Sequence, residues 1–398
     1  MFVAMNKRGK RISLLESFSL KELQEMKGSE HFYCQSCGEE VIMKLGQSVA
    51  WHFAHKAAGD CPNQHEPETR THLTGKSKLY HWLKTNGVKA EVEYYLPAIQ
   101  RRPDLYLPER VPPLAIEFQC ATIGYEQLKA RSDSLAAEGI RVCWLFGSHR
   151  LKKLAPNLFK LSAMELATLQ EMATHSERTY FLRYFSPTKK LFCFLQLLFP
   201  LTSTQFIGIE HSQPDSHINL KEFLTPSFHS PVYLSWKRHW LRQKKHWRTK
   251  VLPKFSPLER YLFTICARRR HVFSSYPAYI GLPIASSIAI ATPPYLWQMW
   301  IITHFVNRGK GAYFTLEEIE RGFQKMVLQR YFQLHLMLRF QPIRQALTDY
   351  LLLLSRVGLI TPLSGDSYRI NQSIEWKNLD LETLLKKDQK LLDLLYAF

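Results

Sequence analysis

The sequence predicts an α/β multidomain protein with three parts: a small N-terminal Cys/His module, a central α/β domain, and a mostly helical, basic C-terminal domain. Three observations carry this. Cys34, Cys37 and Cys61 gather with His52 and His55 in the first 64 residues, whereas the other four cysteines are isolated in apolar sequence. Residues 65–146 then follow a pattern of helix, three strands, helix and strand. Beyond residue 235 the apolar period is mostly helical and cations dominate; residues 1–150 hold 20 Lys/Arg against 17 Asp/Glu, and the remainder 33 against 17. The expected boundaries are 1–64 for a β-hairpin and the Cys/His module, 65–150 for the α/β domain, 151–235 for a transition segment with a β-hairpin, and 236–398 for the basic helical domain.

Bulk properties narrow the class. A chain of 398 residues can bury more than one core. With 45% hydrophobic and 22% charged residues, wholesale disorder is excluded. The net charge of +19 calls for a polyanionic partner, either nucleic acid or an anionic membrane surface, so peripheral membrane association stays open. Seven cysteines, three of them clustered, fit reduced thiols and one metal site better than a disulfide framework. The basic run Asn6-Lys7-Arg8-Gly9-Lys10-Arg11 argues against a signal peptide, and a cytoplasmic protein is expected. No charged residue lies between Arg270 and Arg308, but Pro277, Pro283, Pro293 and Pro294 interrupt that stretch, so a buried helical hairpin is expected and not a transmembrane span.

In chain order, a hairpin turns at Lys7-Arg8-Gly9-Lys10, and Ser17-Phe18-Ser19 opens a short helix. Cys34-Gln35-Ser36-Cys37-Gly38 follows, two thiolates with a glycine that permits the tight turn, which can hold one edge of a tetrahedral zinc site. The other edge must come from His52, His55, Cys61 or His65. In Trp51-His52-Phe53-Ala54-His55 the histidines are three apart and point to opposite faces of a strand. His55 lies nearer the Cys61 loop, so the expected set is Cys34, Cys37, His55 and Cys61, with His52 as the substitute for His55. Four protein ligands make it a structural site.

Next, Glu68, His72 and Lys76 share a helical face. Two strands follow: Arg102-Pro103-Asp104-Leu105-Tyr106-Leu107, then Leu114-Ala115-Ile116-Glu117-Phe118-Gln119. Alternation sends Asp104 and Tyr106 one way, and gives Glu117 and Gln119 a common face. Two carboxylates meeting there repel unless a divalent cation neutralises them, and hard oxygen ligands suit Mg²⁺ or Mn²⁺. Tyr125 to Glu138 reads as a helix ended by Gly139, and Ile140 to Phe146 as a buried strand parallel to its predecessor. A hairpin over 180–210 turns at Ser186 to Lys190, and 210–220 is a polar linker. Near the end, Leu347 to Ile360 is an apolar-faced helix, and with Tyr368-Arg369-Ile370 it reads as the close of a winged-helix unit.

The Pro103-Asp104…Glu117-x-Gln119 pair, with a helical Glu before it and a helix and strand after it, resembles the PD-(D/E)XK nuclease fold. The wider order is similar to the CoiA-like competence proteins. It comprises Cys34-x-x-Cys37, His52-Phe53-Ala54-His55, Glu68…His72…Lys76, Ile116-Glu117-Phe118-Gln119, Arg141-Val142-Cys143-Trp144-Leu145 and Pro277 to Pro283 with Trp297-Gln298. The resemblance implies an N-terminal zinc-ribbon-like module and a role in natural transformation, where imported single-stranded DNA is processed or recombined alongside the recombination machinery. It makes Asp104 and Glu117 the metal ligands and Glu68 their support. Gln119 departs from the nuclease pattern, standing where that pattern usually has lysine. An amide orients water but carries no charge and exchanges no proton. The metal must then activate water itself, or a lysine such as Lys76 must reach in, or catalysis has been lost.

The basic half adds a second DNA-contact element. Residues 236–270 hold twelve Lys/Arg and one acid, Glu259, interleaved with Trp236, Trp240 and Trp247. The indoles either stack on unpaired bases or bury as the stripe of an amphipathic helix, while the cations follow phosphates. Arg238, Arg242, Lys245 and Arg248, with Lys76 beside the acidic pair, are the expected nucleic-acid contacts. Two functions stand: a Mg²⁺-dependent nuclease acting through Glu68, Asp104, Glu117 and Gln119, or a non-catalytic DNA-binding recombination factor with a degenerate nuclease fold.

Overall fold

The computed structural model describes residues 1–46, 50–56, 61, 69–173, 178–228, 233–338 and 343–396. The chain divides into two units, the first taking 1–151, 182–195 and 211–227, the second 152–181, 196–210 and 228–398.

The first unit opens with the expected hairpin, β1 (Val3–Asn6) and β2 (Arg11–Ser13), whose turn is tied by Asn6 Oδ1 accepting from the Arg8 and Lys10 amides at 3.0 Å each. Helix α1 (Leu20–Ser29) starts in a reciprocal Ser19–Glu22 capping box, which satisfies amides that no helical carbonyl can reach. Strands β3 (Phe32–Tyr33), β4 (Glu40–Lys44) and β5 (His52–His55) complete an antiparallel sheet in the order β2-β1-β3-β4-β5. Ile12, Leu23, Phe32, Val41, Met43 and Phe53 form its core.

Helix α2 (Arg70–Thr85), capped by the Thr69 side chain, leads to β6 (Glu91–Val92), β7 (Leu105–Leu107) and β8 (Leu114–Gln119), paired antiparallel in that order. Helix α3 (Tyr125–Ala137) ends before Gly139 at φ +69°, and β9 (Arg141–Gly147) returns parallel to β8 from Leu114↔Arg141 to Gln119↔Phe146. The parallel crossover is the one the apolar pattern predicts. Strand β8 is buried at every position, so it is covered on both faces. Helix α2 supplies one cover, and Gly75 is what lets it approach: a Cβ there would lie 2.0 Å from Phe118 Cε1.

The chain continues through β10 (Lys152–Ala155), β11 (Leu158–Lys160), α4 (Ala163–Ala167) and β12 (Gln170–Ala173). Then come three long strands, β13 (Arg178–Ser186), β14 (Leu191–Pro200) and β15 (Gln205–Pro214), and the short α5 (Leu220–Leu224). The hairpin turning at 186–190 is present as β13 and β14. The polar linker over 210–220 is corrected: β15 runs on to Pro214, because a strand is extended by its neighbour's backbone whatever its side chains are, and Asp215 N still donates to Lys190 O at 2.9 Å. In the first unit, Phe223 of α5 packs on Trp82 and Phe192, with ring centroids 5.3 and 5.2 Å away.

The second unit is mainly helical: α6 (Tyr233–Thr249), α7 (Pro257–Arg268), α8 (Pro294–His304), α9 (Leu316–Leu328), α10 (Ile343–Arg356) and α11 (Leu381–Tyr396). Strands β16 (Tyr313–Thr315), β17 (Ile360–Pro362) and β18 (Ser367–Ile370) form an antiparallel sheet ordered β16-β18-β17. The succession α8, β16, α9, α10, β17, β18 has the element order of a winged-helix unit; β16 and β17 are strands that the sequence reading did not place, and the helix expected over 347–360 ends at Arg356, with Ile360 opening β17. The expected helical hairpin between Arg270 and Arg308 is corrected to one α-helix, α8, preceded by 3₁₀ turns at Phe273–Ser275 and Ala285–Ala289. Pro277 and Pro283 lack the N–H a helical first arm needs. Buried Gln298 stands in for that arm's missing hydrogen bonds: its Oε1 accepts from Gly281 N (2.8 Å) and Leu282 N (2.7 Å), and its Nε2 donates to Leu282 O (2.9 Å). Among the described residues, no helix is long and apolar enough to cross a membrane.

The Gly75 contact is testable. Gly75→Ala should lower stability by about 1–3 kcal/mol through overpacking against Phe118, and Phe118→Leu in the same chain should restore part of it, both read by denaturant unfolding.

Candidate functional site

Two sites lie in the first unit. At the first, Cys34 follows β3 and Cys37 closes the turn, where Gly38 at φ +73° donates to Cys34 O at 2.9 Å and Ser36 N lies 3.4 Å from Cys34 Sγ. Strand β5, paired with β4, brings His55 across, and Cys61 joins from beyond it. The ligand atoms of Cys34, Cys37, His55 and Cys61 all lie within 4.8 Å of one another; Cys34 Sγ and Cys61 Sγ are 3.9 Å apart, and Cys37 Sγ is 3.3 Å from His55 Nε2. A zinc ion with bonds of about 2.0–2.3 Å needs tetrahedral edges of this size. His52, on the opposite parity of the strand, turns its Nδ1 to Ala50 O at 2.9 Å and stays outside. His65 lies outside the described residues.

The electrostatics match that donor set. Burial pushes the Cys34 thiol up, but the Ser36 and Cys37 amides and the Arg102 charge outweigh it and hold Cys34 below the usual thiol value. Burial, then the neighbouring Cys34, pushes Cys37 up to about 12. Without a cation the cluster thus resists a second thiolate. Burial, and after it Arg102, lowers His55, which favours the neutral ring that binds metal. The residues fit a structural zinc ion. Among the described residues this is the one grouping of three or more His, Cys, Asp or Glu able to hold a metal.

The second site is acidic. Asp104 stands just before β7, and Glu117 and Gln119 lie on β8, in a register that sets Leu105 opposite Ile116. Asp104 Oδ2 accepts from Phe118 N at 2.9 Å and lies 3.2 Å from His72 Nε2; Oδ1 is 3.5 Å from Lys76 Nζ. His72 and Lys76 therefore project from α2 on the common face their spacing predicts. Burial raises Asp104, but His72, Lys76 and the Phe118 amide overcome it and hold its carboxyl far below the usual range. Burial, then the Asp104 charge, pushes Glu117 up to about 8, against the opposing pull of Arg131, Lys76 and Arg101. One carboxyl is thus ionised and its partner protonated near neutrality, a split typical of functional acid pairs. Gln119 Nε2 donates to Ala121 O at 2.9 Å, so its amide nitrogen is spent on the chain that continues β8. Glu68 lies outside the described residues.

Sequence reasoning missed Glu93. It is buried at 1% exposure and adopts φ +49°, a left-handed conformation rare for a residue with a side chain. Lys76 Nζ donates to its Oε1 at 2.6 Å. The signal available was Lys76 itself, a lysine on the inward face of an amphipathic helix, which needs a buried acid.

Two expected nucleic-acid contacts are corrected. Lys76 is 1% exposed and enclosed by Glu93 and Asp104. Arg248, 3% exposed, is bidentate to Asp388 at 2.8 and 2.7 Å and donates to Ser274 O and Tyr276 O. Neither reaches a phosphate, because each satisfies a buried carboxylate. Trp236, Trp240 and Trp247 are buried in the second unit's core, so they do not stack on bases. Arg238, Arg242 and Lys245 are exposed on α6.

With this geometry in place, comparison with known proteins defines the class. The order of a metal-type module, a nuclease-like domain and a helical C-terminal domain is matched by three sequence models of one family: competence protein CoiA N-terminal domain over residues 15–64, nuclease-like domain over 68–228, and C-terminal domain over 236–384. The chain belongs to the CoiA competence-protein family. It is similar to the Competence protein CoiA of Bacillus subtilis (strain 168), 26% identical over 347 residues that cover 86% of this chain and 90% of that protein. No solved structure matches.

Two outcomes are expected. Purified protein should carry about one equivalent of zinc by elemental analysis; Cys34→Ser and Cys61→Ser should each lose it, and His52→Ala should keep it. In chelator-treated protein, the raised Glu117 favours folding at low pH, and that contribution fades as pH climbs from about 4.5 to about 8. The melting temperature should accordingly fall less over that window in Glu117→Gln than in the native sequence.

Proposed function

We propose that the protein is a metal-dependent DNA nuclease of natural transformation, cutting phosphodiesters in imported single-stranded DNA in concert with the recombination machinery in the cytoplasm. The observation that carries this reading is the placement of Asp104 before β7 and Glu117 on the adjacent β8, both little exposed, with the Lys76 ammonium 3.5 Å from Asp104. A bound Mg²⁺ or Mn²⁺ would neutralise the pair and lower the pKa of a coordinated water. Asp104 and Glu117 would hold the cation, Glu117 giving up its proton to do so, and Glu68 would support the pair. Gln119 supplies no charge. Lys76, reaching in from α2, provides the positive charge that the strand position lacks, and it steadies Asp104.

The exposed Arg238, Arg242 and Lys245 are proposed to follow the DNA backbone. The non-catalytic reading draws on a specific feature: Lys76 is already engaged by Glu93, and Gln119 by Ala121.

A cleavage assay on single-stranded DNA with Mg²⁺ or Mn²⁺ separates the two. Cleavage by the native chain that falls by about 100-fold or more in Asp104→Ala and in Glu117→Ala is expected for the enzyme. A native chain that binds DNA without cutting it, and loses affinity in an Arg238/Arg242/Lys245→Ala variant, establishes the accessory factor instead.

A further inference from the structure

The N-terminal sheet and the acidic site meet at one side chain. Glu93 Oε2 accepts from Phe2 N at 2.7 Å and from Val3 N at 3.2 Å, and its Oε1 accepts from Lys76 Nζ at 2.6 Å. Its backbone is tied to the same place, since Glu93 N donates to Asp104 O at 3.1 Å. The Phe2 ring lies 5.7 Å from Lys76 Nζ. Beside this junction Arg11 of β2 bonds to Val92 O at 2.7 Å and pairs with Glu91 at 3.1 Å. Phe53 of β5, the strand that carries His55, donates to Met1 O at 2.7 Å. A buried carboxylate with at least three donors on its two oxygens, in a left-handed backbone conformation, is over-determined by its surroundings.

We propose that Glu93 is a positioning residue for the acidic site: it holds the Lys76 ammonium beside Asp104, and it keeps that orientation only while the N-terminal sheet supplies the Phe2 and Val3 amides. The inference rests on the reading of Asp104 as part of a working site. It gives the metal-type module a task at the acidic site. The sheet that carries His55 also carries the two amides that orient Glu93, so the order of the module is transmitted to the lysine through one carboxylate. Glu93 touches no reacting atom and acts through Lys76.

The test uses the full chain and reads Lys76 directly, by acylation with an amine-reactive ester and mass spectrometry under native conditions. Native protein should show Lys76 protected while the exposed Lys89 reacts. Glu93→Gln keeps an acceptor for the two amides and removes the charge that holds Lys76. This variant should fold, as checked by circular dichroism, yet acylate Lys76 about ten-fold faster, and kcat for DNA cleavage should drop about ten-fold with KM within about two-fold. Glu91→Gln, which loosens the neighbouring Arg11 contact, should leave Lys76 protected. Lys76 protected as in the native chain in folded Glu93→Gln, or equally exposed in Glu91→Gln, overturns the proposal. If the native chain does not cleave DNA, the nuclease reading fails alone and the acylation result still decides the role of Glu93.

Discussion

A lysine ammonium buried at 1% exposure organises the first unit. Its desolvation is unfavourable by several kcal/mol unless carboxylates meet it, and removing one partner of such a pair costs about 3–5 kcal/mol. Two carboxylates do meet it: Glu93 at 2.6 Å and Asp104 at 3.5 Å. Those two pairings draw together the helix that carries Lys76, the end of β6, the start of β7 and the first residues of the N-terminal sheet. Gly75 allows the same helix to lie on Phe118, so packing and charge pairing select one placement of α2.

The acidic site inherits its character from this arrangement. Asp104 is ionised because His72, Lys76 and the Phe118 amide face it; Glu117, buried and facing Asp104, holds its proton. Two buried carboxyls beside one fixed ammonium are thus driven in opposite directions from their ordinary range. The Cys/His cluster offers a softer donor set, three sulfurs and one imidazole, that could hold a structural zinc ion.

The basic second unit shows how formal charge and available charge differ. Residues 236–270 hold twelve cations, but Lys244 and Arg248 are consumed by buried Asp388, and Lys250 by Glu259. The tryptophans that punctuate the run close the core: Trp240 is fully buried, its Nε1 donating to Gly281 O at 3.0 Å. In the winged-helix unit, Arg344 at the start of α10 is bound by Glu320 and Asp366. A polyanion would meet the exposed cations, Arg238, Arg242 and Lys245 on α6 with Lys254, Arg260 and Arg268 to Arg270 beyond it, not the whole run.

Much of this was legible in the residues. Alternation set Glu117 and Gln119 on one face of β8, the i, i+4 spacing aligned His72 with Lys76, and strand parity separated His55 from His52, because each of these follows from local geometry with a period of 2 or 3.6. The Cys-x-x-Cys-Gly turn and the parallel return of β9 were equally local. Glu93 was not legible. Its importance arises from partners 17 and about 90 residues away and from a left-handed backbone that no pattern of side chains announces. Nor could the sequence say which cations would be buried, since a lysine or arginine on a helix reads the same whether it faces water or a distant carboxylate. The sequence by itself determined the chemical groups and the faces they occupy; tertiary structure decided which charges neutralise one another, because that depends on distances between segments far apart in the chain.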